Sequence, residues 1–145
     1  MLAKLWFDGW QDAHVHILPA ALTRLRTLGS FEERLRAAWP GVRVAGAAGA
    51  PVGFYCLKGA ELYQFFVASQ ARGSGIAAHL MADAEARLIE SGVHTAWLAC
   101  AIGNDRAARF YEKCGWRRTG TVIDDLDVPG GTFALDVWRF EKTLR

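Results

Sequence analysis

The chain has 145 residues, of which 52% are apolar and 22% are charged, and its formal net charge at pH 7 is +2. This length predicts one domain over residues 1–145 with a substantial core, and so small a charge, with its arginines scattered, argues against a nucleic-acid partner. No apolar run is long enough to span a bilayer and the first residues do not resemble a signal peptide, so we expect a cytoplasmic protein with no membrane partner.

The first part of the chain carries apolar residues at helical spacing. A first helix is predicted over residues 2–14 from Leu2, Leu5, Trp6 and Trp10. A second, broken helical region is predicted over Ala20–Leu28 and Phe31–Trp39. Pro19 is well placed near its first turn, and Gly29-Ser30 is expected to interrupt it.

Short apolar runs follow and predict antiparallel strands. Val42–Ala48 and Val52–Leu57 read as a hairpin around Gly49-Ala50-Pro51. A second hairpin, turning at Lys58-Gly59-Ala60, leads into a third strand over Glu61–Ser69. Three antiparallel strands are therefore expected before the chain reaches its glycine-rich stretch.

The glycine-rich stretch separates this third strand from a helix. The helix is predicted from apolar residues four positions apart, Ile76, Leu80, Ala84 and Leu88. Gly92 is expected to end it as a left-handed cap, and His94–Ala101 is the next strand. A helix between two strands implies a right-handed crossover and a parallel strand pair.

The last part predicts one helix and two strands. Asn104 is suited to begin the helix as its N-cap, and the apolar face of that helix is expected to consist of Ala107, Phe110 and Cys114. Strands are predicted over Arg117–Ile123 and Thr132–Phe140, joined by a polar loop at Asp124–Gly131. The expected fold is α+β: a mostly antiparallel, twisted sheet with one parallel pair and helices on both faces.

The cysteines and histidines do not suggest a metal centre. The chain has an odd number of cysteines, Cys56, Cys100 and Cys114. It has neither a C-x-x-C motif nor two histidines at ligand spacing. We therefore expect three buried thiols, no disulfide framework and no metal.

The glycine-rich loop is suited to hold an anion. The first turn of a helix has unpaired N–H groups and the positive end of the helix dipole. Gly73 and Gly75 leave the approach open, Arg72 adds a positive charge and Ser74 a hydroxyl donor, although two glycines could equally serve only as a turn. Gly73, Gly75 and Ala78 also match the dinucleotide pattern G-x-G-x-x-A, but the next strand ends without the acid that this motif requires.

Two blocks of sequence resemble the GNAT superfamily of acyl-CoA N-acyltransferases. Arg72, Gly75 and Ala77 match its signature [Q/R]-x-x-G-x-[G/A]. The segment Asn104–Trp116 matches N-x-x-A-x-x-F-Y-x-x-x-G-[F/W] in the expected order and separation. The resemblance is good from about Ala45 onward, and it implies a small N-acetyltransferase domain that uses acetyl-CoA as co-substrate.

The resemblance also implies where acetyl-CoA binds. In this fold the parallel strands splay apart, and the peptide-like pantetheine arm fills the gap as an added strand. The implied contacts come from the third strand, the glycine loop and the following helix: Phe66, Val67, Ala68, Arg72, Gly73, Ser74, Gly75, Ile76, Ala77, Asn104 and Tyr111.

The catalytic residues follow partly from the resemblance and partly from the chemistry. Tyr111 matches the family's general acid for the leaving thiolate, although it could be an ordinary core tyrosine. The Val67 N–H matches the group that stabilises the carbonyl oxygen.

Because an ammonium cannot attack a thioester, a base or a water path must take its proton. Glu61 is the candidate base and Gln64 a candidate acceptor contact. The acidic loop either attracts a cationic amine or is a solvated turn; it contains Asp124, Asp125 and Asp127.

The N-terminal helix has two interpretations. Gly9–His14 resembles a stretch that some family members place beside the acceptor entrance, which implies that Trp10 contacts the substrate. The spacing of Trp6 and Trp10 instead favours core residues, because each tryptophan buries a large apolar area. His14 and His16 are expected at the surface or at the helix end.

The chain departs from the family at its start, where members usually have a strand before the first helix. Either this sheet lacks an edge strand or the N-terminus lies upstream. A missing strand would leave the neighbouring strand exposed, and a homodimer is one way to cover it.

The acceptor is expected to be a small-molecule or peptide amine. Two alternatives stay open: a non-catalytic CoA-binding regulatory domain, and a transferase of a longer acyl group.

Overall fold

A computed structural model describes residues 2–47 and 49–144. The helices are α1 (Leu2–His14), α2 (Ala20–Leu25), α3 (Leu28–Ala38), α4 (Ile76–Glu90) and α5 (Asp105–Lys113). The strands are β1 (Val42–Ala47), β2 (Ala50–Lys58), β3 (Glu61–Val67), β4 (Thr95–Ala101), β5 (Arg117–Val128) and β6 (Gly131–Thr143). Short 3₁₀ turns occupy Trp39–Gly41 and Ser69–Ala71.

The described strands form one six-stranded sheet in the order β1-β2-β3-β4-β6-β5. Every neighbouring pair is antiparallel except β3 and β4, which are parallel. This arrangement confirms the predicted α+β fold. Among the described residues no strand precedes α1, and β1 lies at one edge of the sheet.

Helices cover both faces of the sheet. On one face α1, α2 and α3 pack on β2, with Trp6, Phe31 and Phe54 almost fully buried at the centre. On the other face α4 and α5 pack over the middle strands, where Leu88, Leu98 and Phe140 are buried. Because side chains alternate along a strand, neighbouring residues of β2 and β3 contribute to opposite cores.

The local signals around α4 and α5 are confirmed. Gly92 follows α4 with φ at 86°, and its N–H donates to the Ile89 carbonyl at 2.9 Å. Asn104 is the N-cap of α5, where its side-chain oxygen accepts from the Ala107 N–H at 3.4 Å. These two residues fix where α4 ends and where α5 begins.

The break in the second helical region was placed wrongly. The helix does not stop at Gly29-Ser30, which instead lie in the first turn of α3. Thr27 is the N-cap of α3, and its hydroxyl accepts from the Ser30 N–H at 3.2 Å. A threonine that can cap a new helix therefore moves the break to residues 26 and 27.

The predicted hairpins are present with shifted ends. Pro51 lies inside β2, paired with Gly46 beside an irregularity in the β1 register, and residue 48 lies outside the described residues. The third strand ends at Val67 rather than Ser69, because Ser69–Ala71 turns into a 3₁₀ helix. The chain thus leaves the sheet before it reaches the glycine-rich loop.

The predicted acidic loop is wrong, because these residues belong to β5. Asp124 pairs with Leu135 and Asp127 with Thr132, and the connection to β6 is a tight turn at Pro129-Gly130. The carboxylates are therefore held at fixed positions on a strand rather than on a solvated turn.

Two expectations of burial also need correction. The fully buried residues of α5 are Ala108 and Tyr111, whereas the predicted face of Ala107, Phe110 and Cys114 packs against the core only partly. Cys56 and Cys100 are buried as expected, but the Cys114 thiol is half-buried. Cys114 lies at the end of α5, where the helix leaves the sheet.

Candidate active site

The parallel strands β3 and β4 meet at one point only. Their single paired position is Glu61 with Trp97, and the Trp97 N–H donates to the Ala60 carbonyl at 3.1 Å. Beyond this point the strands diverge, so their facing N–H and C=O groups lose their strand partners. We call the space between β3 and β4, bordered by α1, the strand gap.

Gly9 allows α1 to lie close to the strand gap. A Cβ atom at Gly9 would stand 2.9 Å from Cδ1 of Phe66, which is closer than such atoms approach. Three cavities border both α1 and β3. Each has a different chemical lining.

The first, the glycine-loop cavity, encloses about 280 Å³. Seven of the eleven predicted cofactor contacts line it: Phe66, Val67, Arg72, Gly73, Ala77, Asn104 and Tyr111. Ala68 lines an adjoining cavity that shares Phe66, Val67 and Arg72 with the first. The other three predicted contacts, Ser74, Gly75 and Ile76, lie next along the chain at the start of α4 and outside both linings.

The start of α4 is open. Gly73 and Gly75 have φ values of 79° and 87°, in the left-handed region where glycine is favoured, and a Cβ atom at either would meet nothing within 4 Å. Gly75 is the N-cap residue, and no side chain caps the helix. The first-turn amides of α4 are therefore available to an anion.

The side chains beside the loop are already engaged. Arg72 forms an ion pair with Asp12 of α1 at 3.3 Å, and Arg106 approaches the same carboxylate at 3.6 Å. The Ser74 hydroxyl donates to the Ala71 carbonyl, so it is not the free donor that the sequence suggested. Both arginines line the glycine-loop cavity, so two positive charges lie beside a single carboxylate at its wall.

Tyr111 lies on the wall of the glycine-loop cavity and is 9% exposed. Its ring packs against Phe65, Phe110 and Phe140, with centroids 5.8 to 6.5 Å apart. Within the described chain its hydroxyl has no hydrogen-bond partner. Burial, with a smaller contribution from the thiol of Cys100, raises the pKa of Tyr111 far above its usual range, so the phenol stays protonated at neutral pH.

The second, the carboxylate cavity, encloses about 230 Å³. It brings together all the predicted acceptor-side residues and the acids of β5: Trp10, Glu61, Gln64, Asp124, Asp125 and Asp127. Trp10 is only 6% exposed, so it is a core residue as its spacing indicated and also part of this wall.

Glu61 is the titratable group best placed in the carboxylate cavity. Burial is the main cause that raises its pKa to about 7, and the negative charge of Asp124 adds to the shift. Lys58 and Arg139 oppose it. The pKa of Asp124 is also raised, chiefly by burial and then by Asp125 and Asp127. A carboxyl that ionises near neutral pH is suited to accept a proton.

The sequence reasoning missed several polar residues of the carboxylate cavity, among them His14, Arg26 and Arg34. His14 ends α1 as expected, and its Nδ1 lies 3.0 Å from the Trp10 carbonyl. Burial is the main cause that lowers its pKa to about 4, so the ring is neutral. For Arg34 a signal existed, because it shares the buried face of α3 with Phe31 and Ala38 at helical spacing.

Other site types were sought in residues 2–47 and 49–144. No three histidine, cysteine or acidic side chains there are grouped to hold a metal ion. None of the helices in those residues is both long enough and apolar enough to cross a membrane.

The fold has solved relatives at low sequence identity. Ribosomal-protein-alanine N-acetyltransferase from Brucella melitensis has a TM-score of 0.70 at 21% identity, over 98% of this chain and 91% of that chain. PaiA N-acetyltransferase from Thermoplasma acidophilum, solved in complex with coenzyme A, has a TM-score of 0.64 at 16% identity, over 98% and 90%. YncA from Salmonella typhimurium, solved with its cofactor acetyl-CoA, has a TM-score of 0.68 at 14% identity, over 99% and 87%.

At such identities the likeness shows the fold alone, and no curated protein matches the sequence. The family is shown by a sequence model described as acetyltransferase (GNAT) family, which matches residues 2–116. This match covers the splayed strands, the open start of α4 and the whole of α5. The chain therefore belongs to the acetyltransferase (GNAT) family.

Proposed function

We propose that residues 1–145 form one N-acetyltransferase domain that transfers the acetyl group of acetyl-CoA to a primary amine. The observation that carries the proposal is the presence of two cavities that both border α1 and β3, one lined by Tyr111 and the other by Glu61. Membership of the acetyltransferase (GNAT) family supports it, as does a fold shared with proteins solved with coenzyme A or acetyl-CoA.

The glycine-loop cavity fits the co-substrate. We assign its diphosphate to Arg72 and the amides from Gly73 to Ala77, because the loop is open at both glycines and has no side-chain cap. The backbone from Phe66 to Ala68 would hold the pantetheine arm, since the edge of β3 that faces the gap can accept an added strand. Asn104, at the wall of the same cavity, would contact the same arm.

Acetyl-CoA supplies the acetyl group as a thioester, at which an N–C bond forms and the C–S bond breaks. The amine loses one proton and the sulfur gains one. We assign the first proton to Glu61, whose pKa of about 7 suits a base, and the second to Tyr111, which burial keeps protonated. Gln64, beside Glu61 in the carboxylate cavity, would orient the amine.

Val67 is suited to stabilise charge on the carbonyl oxygen. The Ala68 N–H donates to Val52 of β2 at 2.7 Å. Because successive N–H groups of a strand point to opposite edges, the Val67 N–H points away from β2 and toward the strand gap. A backbone donor fixed in this position costs no reorganisation during the reaction.

Thiol release separates this function from its alternatives. Purified protein would be mixed with acetyl-CoA and a panel of primary amines, and free thiol would be measured. Thiol release that depends on an amine, with the acetylated amine found by mass spectrometry, is the expected result. Coenzyme A binding without amine-dependent thiol release would instead indicate a regulatory CoA-binding domain, and faster release from longer acyl-CoA molecules would indicate a different acyl donor.

The rate of acetylation is expected to fall as the pH is lowered through about 7, because Glu61 then takes up a proton and can no longer accept one from the amine. Glu61→Gln is expected to remove this acidic limb and to lower kcat by about 100-fold. The measurement is a pH profile of kcat with several amines.

Asp124→Asn provides the control for this assignment. Because Asp124 raises the pKa of Glu61, its removal is expected to move the acidic limb to lower pH. A limb that instead follows the pKa of each amine, and stays in place in Asp124→Asn, would show that Glu61 is not the base.

A further inference from the structure

Two arginines line the carboxylate cavity: Arg26 is buried and Arg34 is half-buried. Arg26 is 2% exposed, and its Nε has no partner in the described chain. Arg34 has both Nε and Nη1 buried without a partner. Arg26 Nη1 donates to the Asp127 carbonyl, and Arg34 Nη2 donates to the Tyr63 hydroxyl at 3.0 Å. The Arg34 guanidinium also lies over the rings of Trp6, Phe31 and Tyr63, 4.5 to 5.8 Å from their centroids.

Neither arginine forms an ion pair with any acid among the described residues. The nearby Asp127 carboxylate is 3.9 Å from the ammonium group of Lys58 instead. The two guanidinium groups also repel each other: burial is the main cause that lowers the pKa of Arg26 to about 10, and Arg34 is the second. Two neighbouring positive charges, neither of them in an ion pair, favour the binding of an anion between them.

The same cavity also contains carboxyl groups suited to an amine. Glu61 and Asp124 line it together with Arg26 and Arg34, so groups of both signs face one enclosed space. A second cavity adjoins it and shares Arg34, Lys58, Tyr63 and Asp127. Arg34 therefore lies on the wall between the two cavities.

The size of the carboxylate cavity limits what enters it. Its volume of about 230 Å³ is below the usual range of about 300–1,000 Å³ for pockets that enclose drug-sized ligands. The space suits a small molecule with an amine and an anionic group a few bonds apart better than a large polycation.

We propose that the amine acceptor carries a carboxylate, as a free amino acid does, and that Arg34 and Arg26 bind this carboxylate while the amine faces Glu61. A guanidinium group attracts a carboxylate through its fixed positive charge and its N–H donors, and both arginines line the cavity without an acid partner among the described residues. The inference rests on the proposed acetyltransferase function and names the class of its acceptor.

The test compares amines with and without the carboxylate. The probes are the common L-amino acids, each with its α-amide, together with aliphatic diamines and O-phosphoethanolamine. Binding to the complex of protein and coenzyme A would be measured by calorimetry, and acetylation by thiol release. At least one amino acid is expected to bind, and to show kcat/KM at least about 10-fold above that of its amide, because the amide leaves the arginines without an anion.

Arg34→Gln is expected to lower kcat/KM for the amino acid by about 10-fold or more and to leave the slower reaction of its amide unchanged, with Arg34→Lys restoring part of the loss. Arg36→Gln is the matched control, since Arg36 is exposed on the same helix.

Two results would overturn the inference and leave the acetyltransferase function intact. One is that amides or diamines bind and react as well as every amino acid; the other is a preference for O-phosphoethanolamine. Absence of thiol release with every amine would instead remove the acetyltransferase function, and the inference would fail with it.

Discussion

Gly75→Leu is expected to weaken coenzyme A binding by about 100-fold or more. Gly75 is the N-cap residue of α4, and the space where its side chain would stand is open. A leucine there would fill the approach to the first-turn amides, and several charge-assisted hydrogen bonds of about 1.5–3 kcal/mol each would be lost. Calorimetric titration with coenzyme A gives the affinity directly.

Gly92→Leu is the matched control for this experiment. Gly92 follows the other end of the same helix, has almost the same φ, 86° against 87°, and is equally open. Both substitutions force a side chain into the left-handed region at a cost of about 1–2 kcal/mol, so they should lower thermal stability to a similar extent. Only Gly75→Leu is expected to lose coenzyme A, and an equal loss of affinity in both variants would show that the effect is one of stability.

Tyr111→Phe is expected to lower kcat by about 100-fold with little change in coenzyme A affinity. The substitution removes the proton donor for the leaving sulfur and keeps the ring that packs against Phe65 and Phe140. Because the hydroxyl has no partner in the described chain, its removal should leave the free energy of unfolding almost unchanged. Turnover and thermal unfolding would be measured on the same preparation.

Tyr55→Phe is the control, and it is expected to lower stability without lowering turnover, the reverse of Tyr111→Phe. Tyr55 lines neither cavity; its hydroxyl donates to the Asp83 carboxylate and accepts from Arg87 at 3.2 Å. Its loss is expected to cost about 1 kcal/mol of stability and to leave kcat unchanged. Full turnover in Tyr111→Phe would remove this phenol from the mechanism.

The parts of the fold that depend on neighbouring residues could be predicted from the sequence. Asn104 caps α5 through an amide three residues away, and Gly92 ends α4 through its own left-handed conformation. Each of these signals involves only residues that are a few positions apart in the sequence. The open start of α4 was found for the same reason, since the two glycines and the helix that follows them are adjacent.

The acids of β5 show a signal that was present but misread. From Asp125 to Val128 charged and apolar residues alternate, and this period of two predicts a half-buried strand. The concentration of acids suggested a loop instead, although Pro129-Gly130 marked the true turn. The polar composition of these residues suggested a loop, whereas their alternation correctly indicated a strand.

The arginine pair could not be found from local sequence. Arg26 reaches the Asp127 carbonyl, 101 positions away along the chain, and nothing near either residue indicates that they meet. Arg34 had a weak signal on the buried face of α3, but a charged residue there can also lead its head group to solvent. The roles of Tyr111, Glu61 and the loop residues stay predictions that the experiments above address.

The single pairing between β3 and β4 divides the sheet into two plates, β1 to β3 and β4 with β6 and β5. Only one paired position joins β3 to β4, so packing in the cores on both faces of the sheet also holds the plates together. A molecule bound along the diverging edges of β3 and β4 would add hydrogen bonds between the two plates. Binding there would then strengthen the attachment between the two plates, and the occupied protein would resist their separation.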